Sequence, residues 1–207
     1  PAYKDGLYPE KQTQWSKKAG KTFIGSAARY LNTYSYVLTK MMYENLRKQS
    51  DNRASVLTRS AFAGQQRFGT SIWSGDIYAS WDVLKKQLVA GLNICMTGIP
   101  YWTTDIGGFR VRSRENSGEG TGEIGTEIHR NISSCDGGYA KGLKDSAYLE
   151  LYTRWFQYGA LSPIFRAHGT EVPREIWHFG EPGSLFYDIQ VEMIHLRYSL
   201  LSYIYSE

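Results

Sequence analysis

The sequence is poor in the features that cross-link a protein or anchor it in a membrane. It has two cysteines in 207 residues, Cys95 and Cys135, and neither has a metal-ligand spacing or a CxxC context. Cys95 lies in an apolar run and is expected to be a buried thiol. Cys135 lies in a polar segment, so a disulfide and the redox compartment both stay open. No run of about 18 apolar residues occurs, so no membrane span is expected.

The chain also lacks the usual beginning of a polypeptide. It opens with Pro-Ala-Tyr-Lys-Asp-Gly, without an initiator methionine and without a signal peptide. We therefore expect a processed or excised piece of a longer protein, whose compartment the sequence leaves open.

Charge is nearly balanced, whereas aromatic residues are plentiful. The formal net charge is +4, and much of the basic excess lies near the start of the chain, at Lys4, Lys11, Lys17, Lys18 and Lys21. These lysines are not interleaved with a stacking platform, so a solvated face is expected rather than a nucleic-acid partner. Aromatic residues make up 14% of the chain, which fits either an ordinary tyrosine-rich core and surface or a carbohydrate site. Composition alone favours the ordinary explanation.

Short strands and helices alternate along the chain. Apolar spacing predicts helices over 27–48, from Trp81 onward, over 145–158 and over 183–205. Residues 1–26 and the long insertion 110–144 are expected to be loops. Four strands are predicted to end at polar residues, namely Arg59, Asp76, Asp105 and, after the segment 161–165, Arg166-Ala-His168.

This alternation predicts parallel strands whose polar ends lie on one side of the sheet. A closed (β/α)8 barrel needs eight strands, so four make about half of one. An open sheet would also fit, although polar ends converge better in a barrel mouth. The predicted fold class is α/β, a partial (β/α)8 TIM barrel, and residues 1–207 are expected to form a single fragment of such a barrel domain.

The strand ends carry the residue types that a sugar-processing site needs. Two carboxylates, two cations, an imidazole and three aromatic walls are offered by Asp76, Asp105, Arg59, Arg166, His168, Trp73, Trp102 and Phe109. Partial burial beside a tryptophan can raise the pKa of an aspartate, which suits a general acid.

Each of these residues also has an ordinary structural explanation. Asp76 could cap the helix that begins near Trp81, but Ser80 is closer and is itself a good cap. His168 could be a satisfied histidine in a turn, and Arg59 and Arg166 could belong to structural ion pairs.

Five motifs in order resemble glycoside hydrolase family 31. They are Arg59–Arg67, Trp73-Ser-Gly-Asp76, Asp105-Ile-Gly-Gly-Phe109, Arg154–Pro163 and Phe165-Arg-Ala-His168. The end of the chain, Arg197-Tyr-Ser-Leu-Leu-Ser-Tyr-Ile-Tyr205, is similar to that family's pattern as well. The resemblance runs over roughly residues 5–206 and implies a retaining, exo-acting α-glycosidase on a (β/α)8 barrel. This chain would hold roughly the fifth to eighth strands.

The resemblance also implies roles for individual residues. Asp76 would be the general acid/base. Hydroxyls of the terminal sugar would be bound by Arg59, Asp105 and His168 with support from Arg166, between walls formed by Trp73 and Phe109. The residue before His168 is Ala167, where many members have asparagine. No metal and no organic cofactor are implied, and the expected partner is an oligosaccharide substrate.

A retaining mechanism needs a second carboxylate about 5 Å from the acid/base. In the resembling family it stands at the end of the fourth strand, and residues 1–26 contain no strand that ends in an aspartate. We therefore expect the chain to begin just after the nucleophile and to be inactive by itself. Its open sheet edges would be covered by the remainder of the barrel or by another chain.

The stretch from His168 to Gly180 resembles the bacterial α-xylosidase-type branch. The favoured substrates are therefore α-xylosides of xyloglucan-type oligosaccharides, with α-glucosides second. A non-catalytic carbohydrate-binding fragment is a further alternative from another class. A nucleotide-binding domain is disfavoured, because no GxGxxG or P-loop follows a strand.

Overall fold

The computed structural model describes residues 18–112 and 138–206. The described chain falls into two compact units. The first takes its residues from Pro1–Trp73 and Leu92–Trp102, and the second from Ser74–Gly91 and Thr103–Glu207. Three of the N-terminal lysines, Cys135 and most of the 110–144 insertion lie outside the described residues.

The first unit begins with a small antiparallel ribbon followed by a helix. Strands β1 (Lys21–Thr22) and β2 (Gly25–Ser26) pair with each other, and they lead into α1 (Ala27–Tyr30), a 3-10 turn at Leu31–Thr33 and α2 (Tyr34–Gln49). The helix predicted over 27–48 is confirmed. The loop predicted over 1–26 is wrong for residues 21–26, because Thr22 and Gly25 close a two-residue turn in which Thr22 Oγ1 donates to Gly25 O over 3.0 Å.

A three-stranded sheet follows, in the order β3, β4, β5. The strands are β3 (Val56–Thr58), β4 (Thr70–Trp73) and β5 (Trp102–Thr103), and the last straddles the boundary between the units. Strands β3 and β4 are parallel, with Val56 opposite Thr70. The parallel pairing and the positions of these three strands confirm the sequence prediction.

The connection between β3 and β4 is a short turn instead of a helix. A 3-10 turn at Gln65–Phe68 lies between Gly64 and Gly69, which both have left-handed backbones. A Cβ on Gly69 would lie 2.1 Å from Ala54 O, so only glycine fits there. The apolar spacing predicts no helix between the strands that end at Arg59 and Asp76, and this compact turn agrees with that.

The core of the second unit is built around one aromatic helix. The chain passes through α3 (Trp81–Met96), which the two units share, and later through α4 (Ser146–Ala160), α5 (Leu185–Ser199) and α6 (Leu201–Ser206). Four large side chains of α4 are fully buried at helical spacing: Tyr148, Leu151, Tyr152 and Trp155. Burying each contributes about 1.5–3 kcal/mol, so α4 is the element against which the site loops are packed.

The N-terminus of α4 is capped by Asp145. Asp145 has an extended backbone, and its Oδ1 accepts a hydrogen bond from the N–H of Ala147 over 3.0 Å. That bond satisfies one of the free donors at the start of the helix. The final helix, predicted over 183–205, is present as α5 and α6.

The strand predicted over 161–165 is wrong. The chain leaves α4 through turns, in which the N–H of Ser162 donates to Gly159 O over 3.0 Å. The guanidinium of Arg197 donates hydrogen bonds to the carbonyl groups of Ala160, Ser162 and Pro163. These acceptors are therefore used by a side chain, and no strand among the described residues pairs with the segment.

The prediction of a buried Cys95 thiol is also wrong. Cys95 is exposed, in the last turn of α3 and one turn beyond Gly91, the last buried residue of that helix. No helix in the described ranges, 18–112 and 138–206, is long and apolar enough to cross a membrane.

Candidate active site

Asp76 lies in a tight turn directly after β4. Gly75 has φ 84°, and the N–H of Ile77 donates to Gly75 O over 2.9 Å, so the turn has Asp76 at its centre. The cap of α3 is Ser80, whose Oγ accepts from the N–H of Val83 over 3.2 Å. Asp76 is therefore outside the helix and half-buried, as the sequence predicted when it favoured Ser80 as the cap.

Asp105 begins a second turn, which follows β5. The N–H of Gly108 donates to Asp105 O over 2.9 Å, and Gly107 and Gly108 have φ values of 81° and 80°. A Cβ on Gly107 would lie 2.3 Å from Tyr152 Cδ2, and one on Gly108 would lie 2.5 Å from Ala79 N. Two consecutive glycines therefore let this turn pack directly against α4 and the backbone at Ala79.

The carboxylate of Asp105 forms a buried ion pair. Its Oδ1 lies 2.5 Å from Arg166 Nη1, the Asp105 side chain has no exposed surface, and that of Arg166 is 23% exposed. The other oxygen, Oδ2, is buried and accepts no hydrogen bond from any described residue. Arg166 thus forms a structural ion pair, which was the ordinary explanation for it in the sequence. Asp105 keeps one oxygen, Oδ2, available for a ligand.

Burial raises the pKa of Asp105 above its ordinary value. The hydrogen bond and the charge of Arg166 act in the opposite direction, as does the charge of His168, while the negative charge of Asp76 raises the pKa further. Charged groups shift one another's pKa only when they are near in space. Asp76, Asp105, Arg166 and His168 are therefore one electrostatic cluster within the second unit.

His168 lies against Phe109. Their ring centroids are 5.6 Å apart with the planes tilted by 34°, and the side chain of His168 is exposed. Five of the predicted site residues are thus brought together in the second unit: Asp76, Asp105, Phe109, Arg166 and His168.

Two further predicted site residues belong to the first unit. The guanidinium carbon of Arg59 lies 5.9 Å from the ring centroid of Trp73, within the range of a cation–π contact. The ends of β3 and β4 therefore hold these two side chains next to each other. Trp102, predicted as a wall, is instead buried in the sheet with a relative exposure of 9%.

Two residues that the sequence reasoning did not assign hold the site loops. Arg174 is buried, and its Nη2 donates to Gly108 O over 2.7 Å. The Oε2 of Glu171 accepts from the N–H groups of Val111 and Arg112, over 2.8 and 2.7 Å. These partners are about 60 residues apart in sequence, and no local pattern marks such contacts.

Within the described part of the chain, no group of three or more histidine, cysteine, aspartate or glutamate side chains is placed to hold a metal ion. The chemistry that the site offers is that of a half-buried carboxyl group beside a buried carboxylate–guanidinium pair. Such a set can donate a proton and accept hydrogen bonds from hydroxyl groups.

Comparison with known proteins identifies the family. Residues 4–207 match the glycosyl hydrolases family 31 TIM-barrel domain. The chain therefore belongs to glycoside hydrolase family 31, and the mixed helices and parallel strands are part of that domain. The resemblance given by the five motifs is confirmed.

Several relatives are α-xylosidases. The chain is 40% identical over 183 residues to an alpha-xylosidase of Saccharolobus solfataricus, covering 88% of this chain and 21% of the relative. A crystal structure of the family 31 alpha-xylosidase from Xanthomonas citri is similar with a TM-score of 0.74 and 34% identity, over 94% of this chain and 19% of that one.

Others are glucosidases. The neutral alpha-glucosidase C of Mus musculus is 32% identical over 179 residues, which cover 84% of this chain and 16% of the relative. The chain thus spans about a fifth of the length of the relatives it matches.

Proposed function

We propose that the full-length protein is a retaining, exo-acting α-glycosidase and that Asp76 is its general acid/base. The observation that carries the proposal is the electrostatic cluster in which half-buried Asp76 acts on the buried Asp105–Arg166 pair. A proton donor needs access to the leaving group, and Asp76 lies in a turn outside any helix, where its side chain is half-buried. Membership of a glycoside hydrolase family supports the same reaction class.

The reaction would proceed in two steps. Asp76 protonates the glycosidic oxygen while a second carboxylate attacks the anomeric carbon, and the aglycone leaves. Asp76, now ionised, then takes a proton from the water that hydrolyses the glycosyl-enzyme intermediate. We propose that the attacking carboxylate is an aspartate on a barrel strand outside this chain.

Asp105 is poorly suited to be that nucleophile. Its Oδ1 is bound to Arg166 at 2.5 Å, and its side chain is completely buried. Its Oδ2 is well suited to accept a hydrogen bond from a sugar hydroxyl, because a buried carboxylate oxygen without a partner gains from any donor that reaches it.

The remaining predicted residues would complete the binding of the terminal sugar. His168 would donate to a hydroxyl, and Phe109, which lies against it, would provide an apolar wall. Following the family resemblance, Arg59 and Trp73 would contribute to sugar binding as well.

The proposed substrates are α-xylosides of xyloglucan-type oligosaccharides. Two observations support xylose: the stretch from His168 to Gly180, and relatives that are named alpha-xylosidases in Saccharolobus solfataricus and in Aspergillus niger. α-Glucosides are the second candidate, because the neutral alpha-glucosidase C of Mus musculus matches over a similar share of this chain.

We further propose that β3, β4 and β5 are the fifth to seventh strands of the barrel. A strand needs a neighbour to accept and donate its backbone hydrogen bonds. The rest of the barrel would supply that neighbour and cover the sheet edge.

The test uses the full-length enzyme with an aryl α-xyloside and the matching aryl α-glucoside. We expect turnover of both, a higher kcat/KM for the xyloside, and release of the sugar as its α-anomer, followed by NMR. A strong glucose preference would contradict the substrate assignment, and first release of the β-anomer would contradict the retaining mechanism. Sugar binding without hydrolysis would favour the non-catalytic alternative.

A further inference from the structure

Two loops of the second unit carry most of the candidate site. The Gly-Gly loop (residues 105–112) contains Asp105 and Phe109, and the His loop (residues 166–174) contains Arg166 and His168. We propose that Glu171 is a positioning residue that clamps these two loops together for catalysis. The catalytic part of this inference rests on the proposed glycosidase function.

Besides the Asp105–Arg166 ion pair, three sets of hydrogen bonds join the loops between residues 108–112 and 170–174. The N–H of Thr170 donates to Phe109 O over 2.9 Å, and Arg174 Nη2 donates to Gly108 O over 2.7 Å. The carboxylate of Glu171 accepts from two successive N–H groups, at Val111 and Arg112. Glu171 is therefore the member of the His loop that holds the far end of the Gly-Gly loop.

The backbone conformation of Glu171 indicates that a glutamate, and not a glycine, stands at this position because its side chain is needed. Its φ is 72°, and it is the one non-glycine residue with positive φ in ranges 18–112 and 138–206. Glycine would adopt this conformation without strain, and strained backbones persist where surrounding contacts hold them. A glutamate at such a position offers what glycine cannot, a carboxylate that makes two charge-assisted hydrogen bonds.

The clamp lies close to the groups that would bind the sugar. Val111 follows Phe109 by two residues, Glu171 follows His168 by three, and the Phe109 and His168 rings lie 5.6 Å apart. At the other ends of the loops, Asp105 and Arg166 are joined by their ion pair. Without the clamp the two loops would be joined less firmly, and a displacement of about 1 Å at a site can cost about 100-fold in rate.

The test compares three substitutions at one position in the full-length enzyme. Glu171→Gly removes the carboxylate and relieves the backbone strain, Glu171→Ala removes the carboxylate and keeps the strain, and Glu171→Gln keeps a carbonyl oxygen that can accept. Glu150→Gln is the matched control, because Glu150 is an exposed residue of α4 whose carboxylate lies 3.7 Å from Arg154.

We expect kcat/KM on the aryl glycoside to fall about 10- to 100-fold in both Glu171→Gly and Glu171→Ala. Glu171→Gly should melt at a higher temperature than Glu171→Ala, because only alanine retains the strain. The kcat/KM of Glu171→Gln should stay within about fivefold of that of the unsubstituted enzyme, since the neutral amide oxygen still accepts both hydrogen bonds, although more weakly. A purely structural residue would show loss of activity in proportion to loss of stability.

Hydrogen exchange measured by mass spectrometry tests the clamp independently of turnover. Peptides that contain the amides of Val111 and Arg112 should exchange faster in Glu171→Gly than in the unsubstituted enzyme or Glu150→Gln. Unchanged exchange there, or a Glu171→Gly variant with full activity, overturns the inference. If the unsubstituted enzyme hydrolyses neither glycoside, the proposed function fails, while the exchange data still support or reject the clamp.

Discussion

At Asp105, burial and ion pairing act on the same carboxyl group in opposite directions. Burial has the larger effect and raises the pKa, whereas Arg166 lowers it. When the pKa of a carboxyl group is higher in the folded state than in the unfolded state, protonation of that group stabilises the folded state. Its stabilising contribution is therefore fully present below its ordinary pKa of 3.8 and is lost as the pH rises through the raised folded value.

This sign gives a test at the level of one residue. Asp105→Asn removes the titration but keeps an oxygen that can accept from Arg166, so its melting temperature relative to the unsubstituted enzyme should be higher at pH 7 than at pH 4. Melting curves of both full-length proteins at the two pH values measure the difference. A relative melting temperature that falls between pH 4 and 7 would mean that the ion pair outweighs burial.

Asp76 is tested by the dependence of the rate on the leaving group. General acid catalysis contributes about 10²- to 10⁴-fold, and a leaving group of low pKa needs less of it. Asp76→Asn should therefore reduce kcat/KM strongly for an oligosaccharide and weakly for a nitrophenyl glycoside.

The control for this prediction is Asp82→Asn. Asp82 is an exposed aspartate of α3 that pairs with Lys86, so this substitution should leave both rates unchanged. An equal loss for good and poor leaving groups in Asp76→Asn would remove Asp76 from the acid role.

At the same scale, the sequence indicated which candidate residues lie near one another better than it indicated the contacts that hold them in place. Asp76, Asp105, Phe109, Arg166 and His168 carry recognisable motifs, so their types and order were informative. Glu171 and Arg174 act on backbone atoms about 60 residues away, and a left-handed glutamate has no signature in the sequence. Residues that bind backbone groups far away in the sequence were therefore missed.

At the scale of elements, the cap of α4 gives a direct prediction. Asp145→Ala removes the acceptor for the N–H of Ala147 and should lower the free energy of unfolding by about 1 kcal/mol. Asp145→Ser keeps a capping oxygen and should lose much less. Denaturant unfolding of both variants checks the prediction, and equal losses would show that the cap bond does not matter.

The exit from α4 depends on Arg197 of α5. Its guanidinium donates to three carbonyl groups, those of Ala160, Ser162 and Pro163, and hydrogen bonds of charged groups contribute about 1.5–3 kcal/mol each. Arg197→Met should cost about 3 kcal/mol or more, and Arg197→Lys should cost less because an ammonium can replace some of these bonds.

Arg154→Met is the matched control for Arg197, because Arg154 is half exposed and pairs only loosely with Glu150 at 3.7 Å. Exposed pairs of this kind contribute about 0–1 kcal/mol. Thermal unfolding of the three variants, Arg197→Met, Arg197→Lys and Arg154→Met, measures how much stability each has lost. A loss in Arg154→Met as large as that in Arg197→Met would contradict the bracing role.

Elements with regularly spaced apolar residues were predicted well, and those that depend on partners far away in the sequence were not. The helix α4 has four large, fully buried side chains at helical spacing, and β3 and β4 are short runs with β-branched residues between turns. Residues 161–165 have a similar apolar composition, yet their carbonyls are taken by Arg197, which lies 34 or more residues away. Apolar composition alone could not reveal that competition.

At the scale of the whole molecule, much apolar surface of the first unit is exposed. Val37 and Met41 of α2 are 54% and 53% exposed, and Leu92 and Met96 of α3 are 70% and 88% exposed. The buried positions of α2 are instead Ser35 and Thr39, and Thr39 Oγ1 donates to Ser35 O over 2.8 Å. The apolar period thus predicted the helix α2 correctly, although its strongest apolar stripe is not the buried side.

Exposed apolar side chains promote association, and the four named above are each more than half exposed, so the 207-residue chain expressed alone should self-associate. Sedimentation velocity measures this directly. The double substitution Leu92→Lys and Met96→Lys should shift the distribution towards monomer with little change in melting temperature, because both side chains are already exposed. A monomeric unsubstituted chain would contradict the expectation.

The two glycines of the Gly-Gly loop have a consequence for how this sequence can evolve. Every replacement of glycine adds a Cβ, and the space for it is already taken by Tyr152 at position 107 and by the backbone of Ala79 at position 108. Each amino-acid-changing mutation in these two codons therefore meets an obstacle before the identity of the new side chain matters. A substitution at position 107 or 108 is therefore tolerated only if α4 or the backbone at Ala79 shifts as well.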